Sequence, residues 1–132
     1  MKGFKANIEK DTSANKNFRK VLYSGHHLQL VLMALKPGEE IGEEIHTDTD
    51  QFFRFERGIG KCIIDGNAYK VKDGDVIIVP AGAKHNVVNV DKRKALKMYA
   101  IYAPPHHKDG LVRLTKEDAE KNGIEFDGKA TE

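Results

Sequence analysis

The chain has 132 residues, 39% hydrophobic and 32% charged, with 22 basic and 20 acidic side chains giving a formal charge of +2. That length holds one domain's worth of core, and the interspersed charges leave neither a basic stripe for nucleic acid nor an acidic tail. The single cysteine, Cys62, excludes an internal disulfide framework and a cysteine-built zinc finger. The N-terminal MKGFKANIEK lacks a signal-peptide core and no run of about 18 apolar residues occurs, so a soluble cytoplasmic protein without a membrane partner is expected.

In chain order, short apolar or β-branched runs read as strands at Phe18–Tyr23, Leu28–Lys36, Glu43–Thr47, Gln51–Glu56, Lys61–Ile64, Asn67–Val71, Val76–Val79, His85–Asn89 and Leu96–Ala103. Turn signals such as Pro37-Gly38, Asp65-Gly66-Asn67 and Asp73-Gly74-Asp75 separate them. Short strands at this spacing predict an all-β barrel or sandwich rather than βαβ units. Asp65-Gly66 reads as a hairpin turn, because both residues tolerate the positive φ it requires. Only Thr115–Asn122 reads as helix, with Thr115 and Asp118 spaced for an N-terminal cap and Gly123 as its stop. One domain over 1–132 is expected, with a barrel core at about 18–105 and a tail at about 106–132 whose last residues, from Asp127, fray.

Two stretches carry chemistry. The second in sequence is Gly74-DVIIV-Pro80-Ala-Gly82-AK-His85-NVV-Asn89. Asp73-Gly74-Asp75 turns the chain into Val76–Val79, read as a buried strand that is hydrophobic at every position, and Pro80-Ala-Gly82 makes a tight turn. His85 then starts the return strand, which carries its imidazole on a rigid element. This stretch resembles the second signature motif of the cupin family at every fixed position. The earlier stretch, Gly38-EEIGE-Glu44-Ile-His46-TDTD-Gln51-FFRFER-Gly58, resembles the first cupin motif with two departures. Glu44 stands at the first histidine position, His46 at the second, and Gln51 at the glutamate position. Placing His46 and Asp48 at the two histidine positions instead breaks the spacing from Gly38 and to Gln51.

Strand periodicity supports this alignment independently. Glu44 and His46 share one face while Glu43 and Ile45 take the other, and Gln51 shares a face with Phe53 and Phe55. The resemblance implies a double-stranded β-helix, the cupin jelly-roll barrel, with a short C-terminal helix. It also implies one divalent transition metal (Zn, Mn, Fe, Co or Ni) held by Glu44, His46, Gln51 and His85. Two imidazoles argue against the all-oxygen cages of Ca or Mg. A homodimer formed through the outer sheets is the family expectation, with residues 1–20 as the segment to cross over.

The mixed ligand set is similar to that of zinc-dependent phosphomannose isomerases and to small bacterial cupins labelled mannose-6-phosphate-isomerase-like. Three functions are compatible with it: a metal-dependent isomerase-like enzyme on a small polar or sugar-type substrate, an Fe(II) or Mn(II) dioxygenase, and a non-catalytic cupin that binds or senses a small ligand. No general base stands out, and no phosphate cradle or arginine cluster is evident. Elsewhere, His26 and His27 read as loop residues facing solvent. His106 and His107, after Pro104-Pro105, read as a fixed turn near the barrel mouth within reach of a substrate. Cys62 reads as an inert core thiol and Lys84 as exposed. Tyr99 and Tyr102 point to opposite faces of the last strand, so only one lines the lumen.

Overall fold

A computed structural model describes residues 1–132. Strands β1 (Arg19–Ser24), β2 (Gln29–Leu35), β4 (Asp50–Arg57), β7 (Val76–Val79), β9 (Leu96–Ala103) and β10 (Val112–Arg113) form one sheet, in the order β10-β1-β2-β9-β4-β7. Strands β3 (Glu44–Ile45), β5 (Ile59–Ile64), β6 (Asn67–Lys72) and β8 (Lys84–Asn89) form the other, in the order β3-β8-β5-β6. Every pairing is antiparallel. Non-sequential neighbours such as β2-β9-β4 and β3-β8-β5 make the crossing connections of a double-stranded β-helix.

Register explains how this sequence fills the barrel. Across the larger sheet Gln29, Tyr102, Gln51 and Val79 lie in one row, and Val31, Ala100, Phe53 and Ile77 in the next. Met33, Met98 and Phe55 follow beneath. Residues in a row share a face, so the lumen is graded: polar at one end and increasingly apolar below. Phe53, Phe55, Met33, Met98, Leu35 and Leu96 are fully buried, each stabilising the fold by roughly 1.5–3 kcal/mol through burial. Cys62 joins this core from β5, and burial pushes its thiol pKa up to about 12, so it is an inert core residue, as its apolar strand suggests.

The flanking glycine Gly58 joins β4 to β5 at φ +98, and a Cβ there would stand 2.6 Å from the Ala95 carbonyl oxygen. Asn89, at the end of the second motif, is an interior bracket. Its Nδ2 donates to the carbonyls of Leu35, Lys36 and Lys94, and its Oδ1 accepts from the Asp91 amide. Both motif residues therefore act by holding loops closed rather than by touching the site.

Several expectations change. Helix α1 (Ile8–Ala14), capped by Asn7, was not expected; it packs on β9 and β4, buries Thr12, and receives Lys97 Nζ on the Ser13 carbonyl. Val76–Val79 is not buried at every position: it is an edge strand, with Val76 and Ile78 exposed on the outer face. The Glu43–Thr47 segment pairs only over Glu44–Ile45. The C-terminal tail does not fray: the Thr131 amide donates to the Ser24 carbonyl, and the Glu132 carboxylate accepts from the Lys2 and Gly3 amides and the Tyr23 hydroxyl. Helix α2 (Lys116–Lys121) is as expected, with Thr115 Oγ1 accepting from the Asp118 amide. No helix is long and apolar enough to cross a membrane.

Candidate metal centre

The two motifs meet at the polar end of the barrel. Glu44 on β3 pairs directly with His85 on β8, and His46 follows two residues on, facing the same way. The turn of the second motif is stitched to the loop of the first: the Gly82 amide donates to the His46 carbonyl and the Ala81 amide to Asp50 Oδ1. Gly82 is held at φ +88 in that turn, a conformation that a side chain strains.

One donor atom from each of Glu44, His46 and His85 lies within 4.8 Å of the others, with His85 buried and the other two half-buried. His46 Nε2 and Glu44 Oε2 are 3.1 Å apart, close to the roughly 3 Å that separates neighbouring ligands on an ion with ~2.1 Å bonds. The imidazoles of His46 and His85 are 5.3 Å apart, centre to centre. His85 Nδ1 lies 3.1 Å from the Ala83 carbonyl. Nδ1–H must donate there, because a carbonyl cannot; that tautomer leaves Nε2 as a bare lone pair. Nε2 is buried without a partner.

Gln51 lies across the lumen on β4, 2% exposed, with its Oε1 also buried and partnerless. Two buried acceptor atoms without partners are costly unless something electropositive meets them. The donor set of imidazoles and oxygens suits a divalent transition ion. When bound, such an ion supplies a Lewis acid for a substrate oxygen.

The electrostatics favour an ionised carboxylate. Burial works to raise the Glu44 pKa, but the hydrogen bond with His46, followed by the Arg19 charge, leads the opposing effects that hold the carboxyl below its usual value. Tyr102, the lumen-facing tyrosine, is fully buried with its ring 6.1 Å from that of His46, and burial pushes its pKa up to about 12. Tyr99 is the outward one, beside Phe52.

His106 and His107 enter the site more directly than a turn after two prolines suggests. The His106 ring lies 4.2 Å from that of His46, and His107 packs edge-on to Tyr102 at 4.9 Å. Buried Gln29 sets this arrangement. Its Oε1 accepts from both histidine amides, and its Nε2 donates to the His107 carbonyl and to Ser24 Oγ. Burial depresses the His106 pKa, and it drives that of His107 down to about 2 with help from the Arg19 charge. Outside His106 lies a hollow of about 380 Å³ lined by Ile45, His46, Asp48, Pro105, His106 and Phe126 among others, so that His46 borders it.

The remaining sequence candidates stand apart: His26 and His27 are exposed, and Lys84 pairs with Glu43 at the surface. Arg19 and Gln29 escaped the sequence reading. The signal that could have found Arg19 is a charged residue in phase with Val21 on a strand whose neighbours all face a core.

A double-stranded β-helix with two imidazoles and a carboxylate gathered inside one end is a cupin barrel with a candidate metal site. The chain belongs to the cupin family: the Cupin_2 model, described as a cupin domain, matches residues 31–102. It is 46% identical over 124 residues to the uncharacterized protein YrkC of Bacillus subtilis (strain 168), covering 89% of this chain and 66% of YrkC, just under two thirds of that protein. It is 35% identical over 120 residues to the uncharacterized protein L612 of Acanthamoeba polyphaga mimivirus, covering 89% of this chain and 75% of L612. Among solved structures, BH2720 from Bacillus halodurans superposes with a TM-score of 0.89 at 42% identity, over 92% of this chain and 96% of that one.

Proposed function

We propose that this cupin binds one divalent transition metal through Glu44, His46, His85 and Gln51, and uses it on a small polar substrate that enters past His106. The supporting observations are the Glu44, His46 and His85 donor atoms, all within 4.8 Å of one another, and two buried acceptors without partners, His85 Nε2 and Gln51 Oε1. Three of the ligands are one anion and two neutral rings, and Gln51 adds a neutral amide oxygen. The ion therefore keeps more positive charge for a substrate oxygen than a second carboxylate would leave it. His106 sits between that centre and the outer hollow, and gives the chain a proton-handling group at the mouth. That favours an enzyme of the isomerase-like kind over a passive binder.

Elemental analysis of untagged protein tests the metal. About one equivalent of Zn, Mn, Fe, Co or Ni in wild type, lost in His85→Ala, supports the reading; no metal after reconstitution with each ion contradicts it. Oxygen uptake with ferrous iron separates a dioxygenase from an isomerase, and ligand recovered without product identifies a binding protein.

The outer face of the larger sheet suits a second copy of the chain. Leu30, Phe52, Ile78, Tyr99 and Ile101 stand there, with Ile78 63% exposed. An apolar face of this kind on an edge strand such as β7 is normally covered. A homodimer predicts twice the chain mass in light scattering, falling to one chain in Ile78→Lys.

A further inference from the structure

The C-terminal tail is built into the mouth of the barrel. Residues 124–126 run antiparallel to residues 106–108. The Lys108 amide donates to the Ile124 carbonyl, the Phe126 amide donates to the His106 carbonyl, and Glu125 is the bridge partner of His107. Further along, the Thr131 amide donates to the Ser24 carbonyl, while Thr131 Oγ1 accepts from the Ser24 amide and donates to Asp109. Ser24 Oγ in turn accepts from Gln29 Nε2, and Gln29 Oε1 accepts from both mouth histidine amides. One hydrogen-bond network therefore holds the tail and the mouth histidines together, and the tail stands as a fixed wall.

That wall lines the hollow of about 380 Å³ beside the candidate metal centre, a volume within the roughly 300–1,000 Å³ of small-ligand pockets. His46 and His106, their rings 4.2 Å apart, border the hollow on the side of the cluster, and Glu125 and Phe126 of the tail border it with Asp48. Six of its nine lining residues are polar, and none is lysine or arginine. Neither Asp48 nor Glu125 enters an ion pair. A carboxylate only accepts hydrogen bonds, so whatever rests against these two must donate. A hydroxyl donates and also accepts, which suits the Thr47 and Thr49 hydroxyls that share the lining. A phosphate or carboxylate brings its own negative charge and offers acceptors, so both side chains repel it.

We infer that residues 124–126 are a specificity wall for this hollow, and that the part of the ligand resting there is uncharged and rich in hydroxyls, not a phosphate or carboxylate. The hollow's use as the ligand's place rests on the proposed metal function. Asp48 and Glu125 select the outer end of the ligand and leave the inner end to the cluster.

The test compares D-ribose with D-ribose 5-phosphate, which differ by one terminal phosphate. Each is titrated calorimetrically into metal-reconstituted and EDTA-treated wild type, Glu125→Gln and Asp48→Asn. Both side chains belong to exposed residues, so the variants should melt with wild type. In wild type D-ribose is expected to bind about fivefold tighter than its phosphate at low salt, and the gap should narrow in about 0.5 M NaCl. Each variant should bring the two affinities about twofold closer. D-ribose 5-phosphate binding as tightly as D-ribose in wild type overturns the inference. So does an unchanged ratio in Glu125→Gln, which takes the tail out of the ligand's surroundings. If wild type holds metal yet binds neither sugar, the inference fails and the metal reading stands. If D-ribose is preferred through Glu125 in protein that takes up no metal, the wall stands and the metal reading fails.

Discussion

Gln51→Glu restores the acid that most cupins carry at this position, and its effect should change sign with metal. Gln51 is 2% exposed and its Oε1 has no donor, so in metal-free protein the new carboxylate is buried without a partner. Rather than stay charged, it takes up a proton in the folded state. A free glutamate titrates near 4.3, so at pH 7 holding that proton costs about 1.4 kcal/mol for each of about 2.7 units, a ceiling of about 3.7 kcal/mol. Partial relaxation and residual hydration bring the expected cost to about 2–3 kcal/mol. The folded pKa is raised above the unfolded one, so the penalty is absent below about pH 4.3 and grows as pH rises. For a chain this size, melting in EDTA should fall by about 10 °C at pH 7 and by about 3 °C at pH 5. Adding Zn or Mn should reverse the difference, because the carboxylate becomes a stronger ligand than the amide, and binding to the folded state raises stability. Melting scans at both pH values, with EDTA and with metal, supply the assay. Equal melting of variant and wild type in EDTA would show position 51 to be wet, and unchanged metal affinity would remove Gln51 from the ligand set.

Two further perturbations follow from the same structure. Gly58→Ala forces a side chain onto φ +98 with its Cβ 2.6 Å from the Ala95 carbonyl oxygen; it should cost about 3–4 kcal/mol, read as a lower urea midpoint at unchanged slope. His107, with its pKa driven down to about 2 by burial, stays neutral in the fold while the unfolded chain takes up a proton below about pH 6.5. Stability should therefore decline as pH falls from 6.5, by about 1–2 kcal/mol at pH 4.5. His107→Phe should flatten that decline in urea melts, and an unchanged slope would contradict the assignment.

The fold was legible because the second motif combines local turn chemistry with a strand on either side. Pro80, Gly82 and the Asp65-Gly66 hairpin, where Asp65 takes φ 46, are read from a few residues each. The pairing of Glu44 with His46 and of Gln51 with Phe53 and Phe55 followed from period-two alternation, which survives any error in strand ends. What depends on non-local register was not legible. Helix α1 is a seven-residue segment held by burial of Thr12 and the Lys97 bond, so its own sequence carries little helical signal. Val76–Val79 read as a buried strand because an edge strand and a central strand can share the same apolar composition. Tyr102 and His106 meet from β9 and the loop beyond it, their rings 5.8 Å apart. Their meeting is set by barrel closure and by the Gln29 bracket, 77 residues away from His106 in sequence.

The central claim is that one transition ion sits between the two motifs, and anomalous scattering from crystals grown with the bound metal tests it most directly. The account predicts a single strong peak at the metal's absorption edge, bounded by Glu44, His46, Gln51 and His85, and absent in His85→Ala. A peak at exposed His26 and His27, or no peak in protein that elemental analysis finds loaded, would contradict it.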